Sequence, residues 1–127
     1  MPRVMTILAV LVLGAHGLIH VLGTVAYLRL GEVQGLAYKT TVFGGRLDLG
    51  TAGMGVFGAL WVLPAVGFVA AAVGLFGAAD WWRATLATAA LVSLVLPALD
   101  WEVAFAGVIV NVAILGILWA TATQTAG

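Results

Sequence analysis

Four apolar segments separated by short polar stretches fill most of this sequence and constrain its fold more than any other feature. The first covers residues 4–27 and would rise about 36 Å as a helix, which is enough to cross a hydrocarbon core of about 30 Å with some tilt. The others are residues 50–77, 84–99 and 103–121. This pattern predicts an all-α fold: a single-domain, integral membrane four-helix bundle over residues 1–127, multi-pass in the cell membrane.

The charge content excludes most water-soluble classes of protein. Only 8% of the 127 residues are charged, whereas soluble domains carry about 25%, and 64% are hydrophobic. Five basic and five acidic side chains cancel without clustering, so we expect the lipid bilayer as a partner and no nucleic acid. The absence of cysteine excludes disulfides, thiol chemistry and cysteine zinc sites.

The segments between the apolar runs are polar and differ in length. Because a long loop without structure is uncommon, residues 29–49 are expected to include a short amphipathic or re-entrant piece near residues 36–43. Residues 80–83 predict a turn with interfacial tryptophans, and residues 100–102 predict a tight hairpin. Pro64 lacks the amide that would bond the Leu60 carbonyl, which predicts a kink in the second segment.

Close helix packing is expected where small residues recur every four positions, as in Gly67 and Ala71. Small side chains let helices approach closely in lipid, where no hydrophobic effect drives them together.

Polar side chains lie at similar depths in three of the predicted spans. His16, His20 and Tyr27 share one face of the first helix, with His20 about 10 Å and His16 about 16 Å below the Tyr27 edge. Asn111 of the fourth span and Ser93 of the third fall at comparable depth, and Pro97 removes the helical partner of the Ser93 carbonyl. Polar groups facing lipid are costly, so these side chains should turn toward one another or toward water.

The sequence therefore predicts a polar pocket between spans one, three and four, covered by the first loop. Its ligand-binding or proton-relay residues are predicted to be His16, His20, Tyr27, Ser93 and Asn111. The residues predicted at its mouth are Lys39, Arg46, Asp48, Asp100 and Glu102.

Each of these signals also has a simpler structural interpretation. The i, i+4 spacing of His16 and His20 suits a divalent metal, or one histidine could ligate haem, but no third ligand is evident at that depth. Neutral histidines and asparagine also act as interhelical hydrogen-bonding groups. Asp100 and Glu102 could be solvated turn residues.

A long first span and a polar loop precede Gly-Leu-Phe-Gly at residues 74–77, a Trp-Arg turn at residues 82–83 and two closing spans. This order of elements resembles the DoxX-like group of small bacterial four-helix membrane proteins. It implies a four-helix membrane fold and association with a membrane redox complex. The His16/His20 pair has no counterpart in that pattern, so the resemblance assigns no site residue.

Three functional hypotheses follow. The first is a non-enzymatic bundle that binds a small ligand, a lipid-soluble molecule or an ion, in transport or as an accessory subunit of a redox complex. The second is a structural subunit or homo-oligomer packing module whose histidines only join helices. The third is haem- or quinone-linked electron transfer. Hydrolytic chemistry has no support, because no serine lies in a nucleophile-elbow context and no carboxylate pair lies within the spans.

Overall fold

A computed structural model describes residues 1–125 and shows four long apolar helices, one of them interrupted. All four have the length and hydropathy needed to cross a membrane. The predicted helical fold with four long apolar helices is thereby confirmed. The elements are α1 (Arg3–Tyr27), β1 (Thr41–Val42), β2 (Leu47–Asp48), α2 (Gly50–Leu60), α3 (Val62–Phe76), α4 (Trp82–Leu99) and α5 (Trp101–Thr125).

The second apolar segment is divided at Trp61 into α2 and α3. The Trp61 amide donates to the Gly58 carbonyl at 3.3 Å, one residue closer in sequence than an α-helical bond. Pro64 supplies no amide for the Leu60 carbonyl, so the regular ladder is lost at this point. The interruption expected from Pro64 is confirmed, and it places the Trp61 indole at the break.

The short piece expected near residues 36–43 is not helical. Residues 28–49 form no helix; instead β1 and β2 make a small antiparallel ribbon in which Thr41 lies opposite Asp48. Gly44 and Gly45 both have positive φ, +61° and +79°, which a tight turn between two strands requires and glycine adopts without strain. The Phe43 amide donates to the Leu99 carbonyl at 2.8 Å and ties the ribbon to the end of α4.

The two short turns are tighter than predicted. Helix α4 begins at Trp82, so Trp82 and Arg83 belong to its first turn and not to the preceding loop. Asp100 alone separates α4 from α5, and its carbonyl accepts the amides of Val103 and Ala104 at 3.1 and 3.0 Å. The predicted hairpin at residues 100–102 is therefore reduced to one residue, because those bonds form the first turn of α5.

The long helices pack in a row: α1 against α3, α3 against α4, and α4 against α5. Glycines mark the closest approaches. A Cβ added at Gly17 of α1 would lie 2.9 Å from the Phe68 Cβ of α3, and one at Gly67 would lie 2.7 Å from the Ala89 Cβ of α4. Helices α1 and α5 make no comparably extensive contact, so a cleft lies between them, here called the α1–α5 cleft.

Two clusters of buried apolar side chains flank the histidines of α1. One cluster, which we call the floor cluster, lies on the side of Leu13 and contains Leu13, Phe68, Ala71, Ala72, Leu75, Leu86, Ala89 and Ala90. The other lies on the side of the first loop and contains Ala26, Tyr27, Val42, Met54, Phe57, Trp61 and Leu96.

Candidate functional site

Four buried polar side chains from α1, α4 and α5 meet in one hydrogen-bonded cluster. Nε2 of His16 lies 3.1 Å from Oδ1 of Asn111, and Nε2 of His20 lies 2.5 Å from Oγ of Ser93. Nδ2 of Asn111 lies 2.7 Å from the same Oγ, and Nδ1 of His20 lies 2.8 Å from the His16 carbonyl oxygen. The structure thus brings together four of the five residues predicted to bind a ligand or relay a proton.

The partners assign the tautomers of both imidazoles. A carbonyl can only accept, so Nδ1 of His20 carries a proton, and in the neutral ring Nε2 then accepts from the Ser93 hydroxyl. Ser93 Oγ accepts from the Asn111 amide nitrogen, and the Asn111 amide oxygen accepts from Nε2–H of His16. Every bond therefore runs in one direction with both histidines neutral.

This circuit holds the two rings in fixed orientations. The His16 and His20 centroids lie 4.8 Å apart with the rings nearly perpendicular, and Phe68 packs against both, at 4.6 and 5.5 Å. The amide of Asn111 does not titrate, so the circuit favours positioning of the imidazoles over conduction of protons through them.

The arrangement does not suit a shared metal ion. Three of the four ring nitrogens of His16 and His20 are used in hydrogen bonds, which leaves Nδ1 of His16. Across residues 1–125 no group of three or more histidine, cysteine or carboxylate side chains is placed to hold a metal. A divalent ion would have a single histidine nitrogen to bind, short of the ligand set that such ions usually need.

A second buried cluster forms where α1 and α4 end. The Tyr27 hydroxyl donates to Oδ2 of Asp100. Nζ of Lys39 lies 2.5 Å from Oδ1 of the same carboxylate and 3.9 Å from Oε2 of Glu102. Asp100 is 1% exposed, so its interpretation as a solvated turn residue is wrong; Glu102 is exposed, as that interpretation expects. Burial follows because the Tyr27 hydroxyl and the Lys39 ammonium cover the carboxylate.

Arg46 and Asp48 lie apart from both clusters, although they were predicted at the pocket mouth. Both side chains are exposed on the ribbon. Oδ1 of Asp48 accepts from the Gly50 amide at 2.9 Å, at the start of α2. These residues shape the ribbon and do not line the cleft.

The α1–α5 cleft has a volume of about 330 Å³. His16 and His20 line one wall, and α5 forms the other with Val103, Gly107 and Val110. Loop residues 33–36 and Pro97 complete it, so the cleft occupies the predicted position between spans one, three and four, bordered by the loop. Asp100 also lines it, whereas the other predicted residues lie outside its lining: Tyr27, Ser93, Asn111, Lys39 and Glu102.

Sequence reasoning missed Trp61, which also lines the cleft. Its ring packs against Gly23 and lies 5.7 Å from the His20 ring. The other four tryptophans stand near the ends of apolar segments, as expected for membrane interfaces, but Trp61 lies inside one and three residues before a proline. That position was the signal available in the sequence.

Comparisons of this chain with protein families, with curated proteins and with solved structures find no match. The site is therefore interpreted from its own geometry.

Proposed function

We propose that this chain is a multi-pass membrane protein that binds a small lipid-soluble molecule in the α1–α5 cleft. The observation that carries the proposal is the placement of His16 and His20 in the wall of a 330 Å³ cleft between α1 and α5, which contact each other much less than the other neighbouring long helices do. That volume is within the range of small-molecule sites, which combine mostly apolar walls with a few placed polar groups.

The exposed surface of the helices supports a lipid environment. Leu18, Val66 and Ile117 are 63%, 61% and 65% exposed, on three different helices. Apolar patches of this extent are unfavourable in water and match acyl chains. Labelling of single cysteines at Arg3 and Gln124 in intact cells tests the insertion, because four crossings put both positions on the same side of the membrane.

The binding proposal is tested by native mass spectrometry of gently extracted protein. We expect a co-purifying small molecule on the wild type and on Ile117→Leu, a change on the exposed face of α5. Val110→Phe, which fills the cleft from the α5 side, should lose it. A wild-type protein that carries no small molecule, or a Val110→Phe protein that retains it, would contradict the proposal.

As a working role we propose non-enzymatic binding within transport or within a larger membrane complex. The DoxX-like resemblance would make that complex a redox assembly. Co-purification of tagged protein in mild detergent tests this part separately, since a partner with redox cofactors would be visible by its absorption spectrum.

A purely structural role is the second candidate, because the circuit of His16, His20, Ser93 and Asn111 closes without any ligand. Such a role predicts that substitutions in the circuit lower stability and leave no binding activity to lose. A stable oligomer or complex in detergent that carries no small molecule would favour this candidate over ligand binding.

A further inference from the structure

The indole of Trp61 has a polar atom without a partner. Trp61 is 7% exposed, and its Nε1–H finds no hydrogen-bond acceptor in residues 1–125. An indole nitrogen is only a donor, and burial of a donor without a partner is unfavourable. Nε1 itself has almost no exposed surface, so a molecule bound in the α1–α5 cleft, which Trp61 lines, can supply the missing acceptor once the indole turns toward the cleft.

A second unpaired group lines the same cleft. Nε2–H of His16 is bonded to Asn111, so the neutral ring leaves Nδ1 as an acceptor, and no hydrogen bond in the described chain uses it. The remaining wall is mostly apolar, including Ile19, Leu22 and Val103. The cleft thus combines one donor and one acceptor with an apolar surface.

The charges around the cleft disfavour an ionic ligand. Asp100 is the carboxylate in its lining, and it is already paired with Lys39 and Tyr27. An anion would face that carboxylate with no unpaired cation in the lining, and a cation would have to compete with the Lys39 ammonium. A neutral molecule avoids both costs.

The cleft adjoins a second cavity at the first loop. This larger cavity, lined by residues 29–39, shares Val33, Gln34, Gly35, Leu36 and Val103 with the cleft. These shared residues lie between the two cavities and border the cleft on the loop side.

We propose that the α1–α5 cleft selects neutral, largely apolar molecules that carry a carbonyl oxygen, which accepts a hydrogen bond from Nε1–H of Trp61. A hydroxyl on the same molecule can donate to Nδ1 of His16. This inference rests on the proposed binding function and adds the chemical class of the ligand.

Two probes of matched shape test the selection: 4-(4-fluorophenyl)cyclohexanone, which has the carbonyl, and 1-cyclohexyl-4-fluorobenzene, which lacks it. Fluorine NMR of each probe with the protein in lipid nanodiscs, against empty nanodiscs, gives its affinity. We expect the wild type to bind the ketone about three- to tenfold more tightly, as one neutral hydrogen bond provides.

The variant Trp61→Phe keeps an aromatic ring but removes the donor, so it should bind the two probes equally. The matched control Trp101→Phe alters a tryptophan that is 54% exposed and should keep the preference. If Trp61→Phe does not fold, the affinities of the two probes for the wild type still decide whether the cleft prefers a carbonyl.

The outcomes separate the two proposals. Equal binding of both probes to the wild type would overturn the carbonyl selection while leaving the cleft as a binding site. A preference for the ketone that survives in Trp61→Phe would also overturn the selection by Trp61. Binding of neither probe above the empty-nanodisc level counts against the proposed function itself.

Discussion

The Asn111 side chain on α5 accepts a hydrogen bond from His16 on α1 across a distance of 3.1 Å. Asn111 is fully buried, at 0% exposure, and the other described side chains of α5 are partly or largely exposed. This bond connects α1 and α5, the two helices that border the cleft and that stand first and last in the row of packed helices. The amide of Asn111 thus joins α1 to α5 across the cleft.

Asn111→Leu should loosen α5 from α1. The substitution keeps the volume but removes the partners of His16 and Ser93, and we expect a loss of about 1–3 kcal/mol in unfolding free energy. Thermal unfolding in detergent, followed by the loss of the monodisperse size-exclusion peak, measures it. Val112→Leu, on the exposed face of α5, is the control. An unchanged midpoint for Asn111→Leu would show that the bond contributes nothing.

Ser93→Ala should destabilise the protein by a similar amount, because Ser93 Oγ bonds to both His20 and Asn111. The double variant with Asn111→Leu is the sharper measurement. Residues of one hydrogen-bond network are non-additive, so the double variant should lose less than the sum of the two single losses. Strict additivity would mean that the two side chains act independently.

Gly23→Ala should disturb the packing of Trp61. An added Cβ at Gly23 would lie 2.5 Å from Cδ2 of the indole, so the ring must move, and overpacking of this kind costs about 1–3 kcal/mol. The matched control is Gly14→Ala on the same helix, where no atom lies within 4 Å and the gain in helix propensity is about 0.5–1 kcal/mol. Opposite shifts in the unfolding midpoint are expected, and equal shifts would refute the close contact.

Lys39→Met should release the first loop. The variant leaves the buried Asp100 carboxylate without its cation, and we expect a cost of about 1–3 kcal/mol, between the values for surface and buried pairs. Hydrogen exchange at the Phe43 amide reports the release, since that amide bonds to Leu99 beside Asp100. Adding Asp100→Asn to Lys39→Met removes the unpaired charge and should restore part of the protection. Unaltered exchange in Lys39→Met would count against the ion pair as an anchor.

The sequence contained most of the information needed for the long helices and for the buried circuit. Helical periodicity put His16 and His20 on one face, and the cost of exposing polar groups to lipid brought Ser93 and Asn111 toward them. The two short turns were harder, since the residue at which a helix begins depends on backbone bonds such as those to the Asp100 carbonyl.

Long-range pairings set the limit of the sequence argument. Burial of Asp100 depends on Lys39, 61 positions away in the chain, and no local pattern indicates that a loop lysine will reach it. The α1–α5 cleft likewise results from the order in which the helices pack, which hydropathy does not specify. In the sequence, Trp61 resembles the other apolar residues of its segment. The structure distinguishes it, because its buried N–H has no acceptor.

The floor cluster blocks the movement of a polar molecule or an ion past His16 and between the helices. Beyond His16 the floor cluster is made of buried leucine, phenylalanine and alanine side chains, which offer no polar group to stabilise an ion or a file of water molecules. For a molecule that reaches the imidazoles from the loop side, the site is therefore closed at its inner end. Such a molecule can leave only on the side from which it entered. Passage to the opposite face would demand a second packing arrangement in which Leu13 and Phe68 part.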